Sequence, residues 1–351
     1  MSLQPPPQTV RVLEWLRKGI ARAFLVLGLI GVSCGHAHAE EPFGPSAPFL
    51  VRDMNPFIQV YGLPPFEAAE VTPSRHVQVQ LTLDVANSAK LGDGLDESIT
   101  LDGETYRLAL SVRLGLSDWL EAGVELPFVF HRQGVFDGFI EDWHGLLGLP
   151  NGDRDQLPKN ALDYSYRFQG QELVAIRSDQ QGLGDVRLFA AASLYRAEDG
   201  GRELSLRGSF KLPTGDGARL LGSGGTDLAI SLNAVERGWS ASGITGFSRL
   251  GLLALGSGDV LATRQRHAVA FGGLGLSWRP WSRLDLKAQL EGYGPFYQSE
   301  LPQLGTTSVQ LTVGGTIHLG RSTTLDLAVG ENLFVDSIPD VVFHVTVSHR
   351  E

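Results

Sequence analysis

From Val77 to Val85 every second residue is aliphatic (Val77, Val79, Leu81, Leu83, Val85), and the residues between them, Gln78, Gln80, Thr82 and Asp84, are all polar. Side chains on an extended strand alternate between two faces, so a period of two predicts a strand with one apolar and one polar face. The weave returns at Tyr106, Leu108, Leu110, Val112 and Leu114 and continues to the C-terminus. Strand candidates fall at 76–86, 104–116, 119–130, 184–195, 203–212, 226–236, 239–250, 267–278, 283–294, 307–319, 323–334 and 340–348, twelve in all. An even number of antiparallel strands is what a single-chain outer-membrane barrel uses. The expected fold is therefore all-β: an antiparallel transmembrane β-barrel of about 12 strands.

The connections alternate in length. Short ones are 117–118, 196–202, 237–238, 279–282 and 320–322; long ones are 87–103, 131–181, 214–225, 251–266, 295–306 and 336–339. Barrels of this class place short turns in the periplasm and long loops outside, and that order holds here from the first strand to the last. Trp119, Trp239, Trp278 and Trp281 all lie beside short turns, where indole rings suit the headgroup level of a bilayer and predict a periplasmic aromatic girdle. Phe128, Phe130, Phe210, Phe296, Tyr297 and Phe334 sit near the long loops and predict the opposite girdle.

Residues 1–39 read as a cleaved signal peptide, with a basic start (Arg11, Arg17, Lys18, Arg22), an apolar run over Ala23–Val32 and Ala37-His38-Ala39 as the cleavage site. A lipoprotein site at Cys34 is the rival, but Gly31 stands where such sites want an aliphatic residue. The only cysteine thus leaves with the signal, and the mature chain has no disulfide or thiol chemistry. The signal carries four basic and one acidic residue of the chain's 29 and 39, which leaves 25 against 38, a charge of −13. That balance argues against nucleic acid as a partner. The expected location is the outer membrane, with its lipid, lipopolysaccharide and the barrel-assembly machinery as partners and a small solute as cargo. Residues 40–75 are proline-rich and aperiodic, an extended arm that reads plainly as a periplasmic tail and more sharply as a segment tucked into the barrel mouth. Residues 76–351 form the barrel.

The polar half of the weave carries the candidate chemistry. Arg107, Arg113, Glu121, Glu125, Arg207 and Lys211 fall on polar faces of successive strands and are the candidate lumen-lining residues. So many charges are prohibitive in a dry core and cost little beside water. A narrow or gated channel for small solutes is the leading functional expectation; a structural or binding barrel with a plugged lumen is the alternative, and an outer-membrane hydrolase a lesser one. The hydrolase lacks support: no G-x-S-x-G occurs, and the neighbours Ser348 and His349 point to opposite faces of a strand. No catalytic, cofactor or metal residues are expected; Asn151, Asp153 and Asp155 alternate like the start of a calcium loop without its full spacing. The longest loop, 131–181, concentrates Asp137, Glu141, Asp142, Trp143 and His144, a candidate lid or constriction, and the alternation of Tyr164, Tyr166 and Phe168 predicts a hairpin above the membrane.

Asn55-Pro56-Phe57 with Tyr61-Gly62-Leu63-Pro64, Asp102-Gly103-Glu104-Thr105, Trp143-His144 with Gly148-Leu149-Pro150, and Gly182-Leu183-Gly184-Asp185 with Leu212-Pro213-Thr214-Gly215 occur in this order. Together they resemble a group of uncharacterised proteobacterial outer-membrane proteins, domain of unknown function 3187, over nearly all of the mature chain. The resemblance implies an outer-membrane barrel and supplies no catalytic residues. One departure is the C-terminus, His349-Arg350-Glu351, where such barrels commonly end on an aromatic residue.

Overall fold

The computed structural model describes residues 43–138, 141–142, 152–238, 243–332, 339 and 341–351. The expected signal peptide with Cys34, and Trp143, His144, Asn151, Trp239 and Phe334, lie outside the described residues. The described strands are β1 (Val77–Asp93), β2 (Glu97–Ser117), β3 (Leu120–Arg132), β4 (Asp163–Phe168), β5 (Gln171–Ile176), β6 (Gln180–Leu183), β7 (Arg187–Arg196), β8 (Arg202–Lys211), β9 (Asp227–Arg237), β10 (Ile244–Leu255), β11 (Ala268–Trp281), β12 (Leu284–Tyr293), β13 (Ser308–His318), β14 (Thr323–Asn332) and β15 (Val341–Arg350).

Twelve of them, β1 to β3 and β7 to β15, pair antiparallel in chain order. The ring closes where β1 meets β15, with Thr82 opposite Thr346 and Asp84 opposite His344. Closure leaves no barrel strand with an unpaired edge, the condition for a sheet to sit in lipid. Among the described residues no helix is long and apolar enough to cross a membrane. Burial follows the predicted weave. On β2, Arg107, Ala109, Ser111 and Arg113 are buried while Leu108, Leu110, Leu114 and Leu116 are exposed. On β10 and β11, Leu250, Leu252 and Leu274 are more than half exposed. An aliphatic outer belt over a polar interior inverts the pattern of a water-soluble core and is the signature of a strand set built for hydrocarbon.

The sequence expectation fails at the first outer loop. Residues 87–103 are not a loop: β1 and β2 stay paired up to Asp93 opposite Ser98, leaving only Gly94 to Asp96 between them. Ala86, Asn87, Ser88 and Ala89 are all buried, because loop residues cover the outer face of this hairpin above the barrel, and that double cover erases the alternation. Beyond the rim, β4 pairs with β2 and with β5, giving the hairpin expected around Tyr164 and Tyr166. Phe296 and Tyr297, expected in an outward girdle, are fully buried instead. Their loop pairs with the one before it (Arg266 N–H to Phe296 O, 2.8 Å; Gln298 N–H to Arg264 O, 2.7 Å) and turns both rings inward onto the arm.

That arm occupies the barrel. Phe43 lies against His318 and Arg283 at the short-turn end. The chain then climbs along β12: Ser46 donates to Asp285, the Lys287 ammonium to Ala47 O, and the Gln289 amide brackets Phe49, accepting from its N–H at 2.9 Å and donating to its carbonyl at 3.1 Å. At Asn55–Tyr61 it turns beneath the outer loops, where Tyr297 donates to Phe57 O at 2.8 Å. It descends past Asp227, Arg249, Asn233 and Arg207 to Thr72, whose N–H donates to Glu121 at 2.6 Å, and enters β1 at the end where it began. The plain reading of residues 40–75 as a periplasmic tail is therefore wrong from Phe43 onward. A segment with no period gives no burial signal, because most of its residues from Pro48 to Thr72 are buried by a wall made elsewhere in the chain.

Candidate functional site

The arm and the wall meet in a charged network, and its geometry follows from strand parity. Gly115 faces Glu121 and Ser111 faces Glu125 across the β2–β3 pair, while Arg107 and Arg113 stand on the same inward face. The charges therefore pair on the diagonal. Arg107 reaches Glu125 at 2.5 Å and Arg113 reaches Glu121 at 3.4 Å. Glu121 also receives Arg207 of β8 at 2.9 Å, and Glu125 receives Arg187 of β7 at 2.9 Å. Into this network the arm inserts one charge of each sign, while its Glu70 pairs separately with Arg237 of β9. Arg52 donates two hydrogen bonds to Glu125 at 2.8 and 3.0 Å. Glu67 lies among three wall arginines: Arg113 at 2.7 Å, Arg187 at 3.2 Å and Arg207 at 3.9 Å. All these side chains but the half-buried Arg52 are buried, and a buried charge is tolerated only when paired and hydrogen-bonded.

Lys211, the remaining lumen candidate, belongs to a second group nearer the outer rim. Its ammonium contacts Asp185, Ser223 Oγ at 2.5 Å, Gly225 O at 2.8 Å and Asp227 at 3.4 Å. Asp185 closes Gly182-Leu183-Gly184-Asp185 and also accepts from Gly215 N–H at 2.8 Å and Ser223 N–H at 2.9 Å. The glycine-rich motifs are thus loop-to-strand clamps. A third group lines β12 and its neighbours, with Arg279 and His318 on Asp285 and Lys287 facing Asp326. Between arm and wall remains a polar cavity of about 20 Å³ lined by Arg52, Arg107, Glu125, Arg187 and Lys211, room for roughly one water.

Two glycines let the backbones approach. A Cβ on Gly62 would lie 2.9 Å from Asp227 Cβ, and one on Gly115 would run into the Pro73 carbonyl where the arm turns into β1. The arm's tip is held differently. Phe57, Ile58, Val60 and Tyr61 share an apolar cluster with Leu253, Phe296, Tyr297, Leu301 and Leu304, and Tyr61 stacks on Phe296 at 5.2 Å.

The described members of the long loop do not gather over this site. Asp137 is buried and accepts from Asn87 at 2.9 Å, Arg154 at 3.2 Å and Asn160 N–H at 2.9 Å; Glu141 pairs with Lys159 at 2.5 Å; Asp142 is exposed. Asp153 accepts from Leu91 N–H at 2.9 Å and Asp155 is exposed. No group of three or more His, Cys, Asp or Glu that could hold a metal is found among the described residues. Trp119, Trp278 and Trp281 are exposed at the short-turn end of the wall. In the outer hairpin, hydrogen bonds from Arg177 and Arg167 hold the exposed Glu172 carboxyl down to about 2.

Sequence reasoning passed over Arg52, Glu67, Arg187 and Arg249. Arg187 is the first residue of β7, on its inward parity; the predicted strand began three residues earlier, at Gly184, and already contained it. An Asp84–His344–Thr346 relay, with His344 Nδ1 2.6 Å from Asp84 and Nε2 3.0 Å from Thr346 Oγ1, also escaped notice. Thr346 Oγ1 is further bonded to Thr82 at 2.9 Å and the three side chains are buried beneath the arm, so the relay works as a buried polar tie between the first and last strands.

The chain belongs to a family of proteins of unknown function (DUF3187), whose model matches residues 31–350. No curated protein matches the sequence. Among solved structures it is similar to the COG4313 outer membrane channel from Pseudomonas putida F1 (12% identity, 81% of this chain and 98% of that one, TM-score 0.54). It is more distantly similar to the NanC porin (9% identity, 78% and 98%, TM-score 0.44). The first of these likenesses shows the outer-membrane barrel fold.

Proposed function

We propose that the protein is a gated channel for small solutes in the outer membrane, closed in this structure by residues 43–73 acting as its plug. The observation that carries this reading is the arm's path. It enters and leaves by the same, short-turn end of the barrel, so it can withdraw without unthreading. The wall behind it presents charged and polar side chains that water can solvate once the arm leaves, and the exposed aliphatic belt supplies the lipid-facing surface. Lipid, lipopolysaccharide and the assembly machinery are the partners such a barrel requires. A permanently plugged barrel is the second reading, favoured by the apolar cluster that holds the arm's tip.

Planar-bilayer recording of the full chain and of a chain lacking residues 43–70 tests both. The full chain should show rare discrete openings and the shortened one lasting conductance. A correctly folded shortened barrel that stays silent would sink the channel reading. A full chain shut under every voltage and salt concentration, beside a conducting shortened one, would identify a permanent plug.

A further inference from the structure

The wall around Glu67 is more than the arm needs. Arg107, Arg113, Arg187 and Arg207 face only Glu121 and Glu125 on the wall, two positive charges in surplus. The arm adds Arg52 and Glu67 and leaves that surplus unchanged. Several donors go unused: Arg187 Nε and Nη1, Arg113 Nε and Arg207 Nε have no hydrogen-bond partner among the described residues. The guanidiniums are also held by the wall itself. Phe189 of β7 stacks under both Arg187 and Arg113, at 4.5 and 4.9 Å from its ring centre, and Glu121 fixes Arg207. A cradle supported this way keeps its shape when the arm is absent, and forked guanidiniums suit a planar carboxylate.

We infer that Arg113, Arg187 and Arg207 form the barrel's recognition site for small carboxylate-bearing solutes, and that Glu67 occupies it as an internal stand-in, so that solute and plug compete for the same three arginines. This rests on the channel reading, whose gate it specifies. The Glu67 carboxylate marks where a solute's carboxylate binds, and an arriving anion would take the arginines from the arm.

The full chain carrying Glu67→Ala lacks the atoms that acetate restores. Calorimetric titration should show acetate binding to this variant at least about tenfold more tightly than to the parent, the factor that one charge-assisted hydrogen bond supports. Inorganic phosphate should bind more weakly than acetate, and adding Arg187→Gln should abolish the gain. Equal acetate binding by parent and variant, or equal binding of acetate and phosphate, overturns the assignment. Glu67→Gln, which keeps the side-chain volume, should raise the open probability in bilayers by about tenfold, with anions carrying the current. Heat-modifiable gel mobility confirms that each variant is folded. Openings carried by cations overturn the carboxylate site and leave the channel reading standing. Acetate binding with no rise in openings supports the cradle and overturns its competition with the plug.

Discussion

The arm is held by two kinds of contact, and the contrast sets how it can move. Its tip, Phe57 to Tyr61, is buried in a large apolar cluster under the outer loops, while its two legs, beside smaller apolar contacts at Phe49 and Phe66, rest on a wall of paired charges and hydrogen bonds. Apolar burial is non-directional and, unlike an ion pair, is not screened by salt. Charged contacts are directional, and each needs its partner in place to avoid a desolvation cost. The tip therefore works as a latch and the legs as a register, fixing which residue of the arm meets which strand.

The contrast can be broken first at the latch. Phe57→Ala removes a fully buried ring and should weaken docking of the tip by about 3–5 kcal/mol. Limited proteolysis should then cut near residue 57 in folded barrels, and bilayer recordings should show frequent openings; unchanged protection would mean the legs alone hold the arm. The register is next. Gln289→Leu deletes the amide that brackets Phe49 and should cost about 1–3 kcal/mol, read as faster hydrogen exchange on the ascending leg with the tip unaffected. Raising salt from about 0.1 to 1 M shortens the screening length from roughly 10 to 3 Å. Because the leg charges are buried, exchange there should quicken only slightly and at the tip not at all. The smallest effect belongs outside the barrel. Glu172 has its carboxyl lowered by Arg177 and Arg167, so its contribution is present above its unfolded value near 4.3 and fades as pH falls toward about 2. Since Glu172 is exposed, acid should loosen only the β4–β5 hairpin, measured by hydrogen exchange; simultaneous loss of the plug would show that hairpin and plug are coupled.

The fold was largely legible because a membrane barrel writes its two environments into alternate residues. Leu108 and Arg107 report lipid and interior separately, and their repetition counted the strands. Asn87 to Gly103 misled for the complementary reason: above the rim the hairpin is covered on both faces, so polarity no longer labels direction. Phe296 and Tyr297 obeyed their composition but not their expected side, since a long loop can turn its aromatics into the mouth as readily as toward the lipid. The site was half legible. Parity placed Arg107, Arg113, Glu121, Glu125, Arg207 and Lys211 on polar faces of the strands, but Glu67 and Arg52 lie in an aperiodic segment whose partners are set by topology rather than by spacing. The contacts of Glu67 with Arg113, Arg187 and Arg207 emerge only once the arm is seen to double back.

The arm's contacts with β12 and the loop after it carry a consequence for assembly. Phe49 meets Gln289 and Asn55 meets Gln303, partners separated by 240 and 248 residues. Contacts of such range make folding slow, since the chain must lose most of its freedom before any of them forms. The arm emerges early in synthesis, yet its wall is complete only when β1 finds β15. It must be lodged inside before that seam shuts or slip in afterward through the short-turn end, so the timing of the seam decides whether a newly made barrel begins life open or closed.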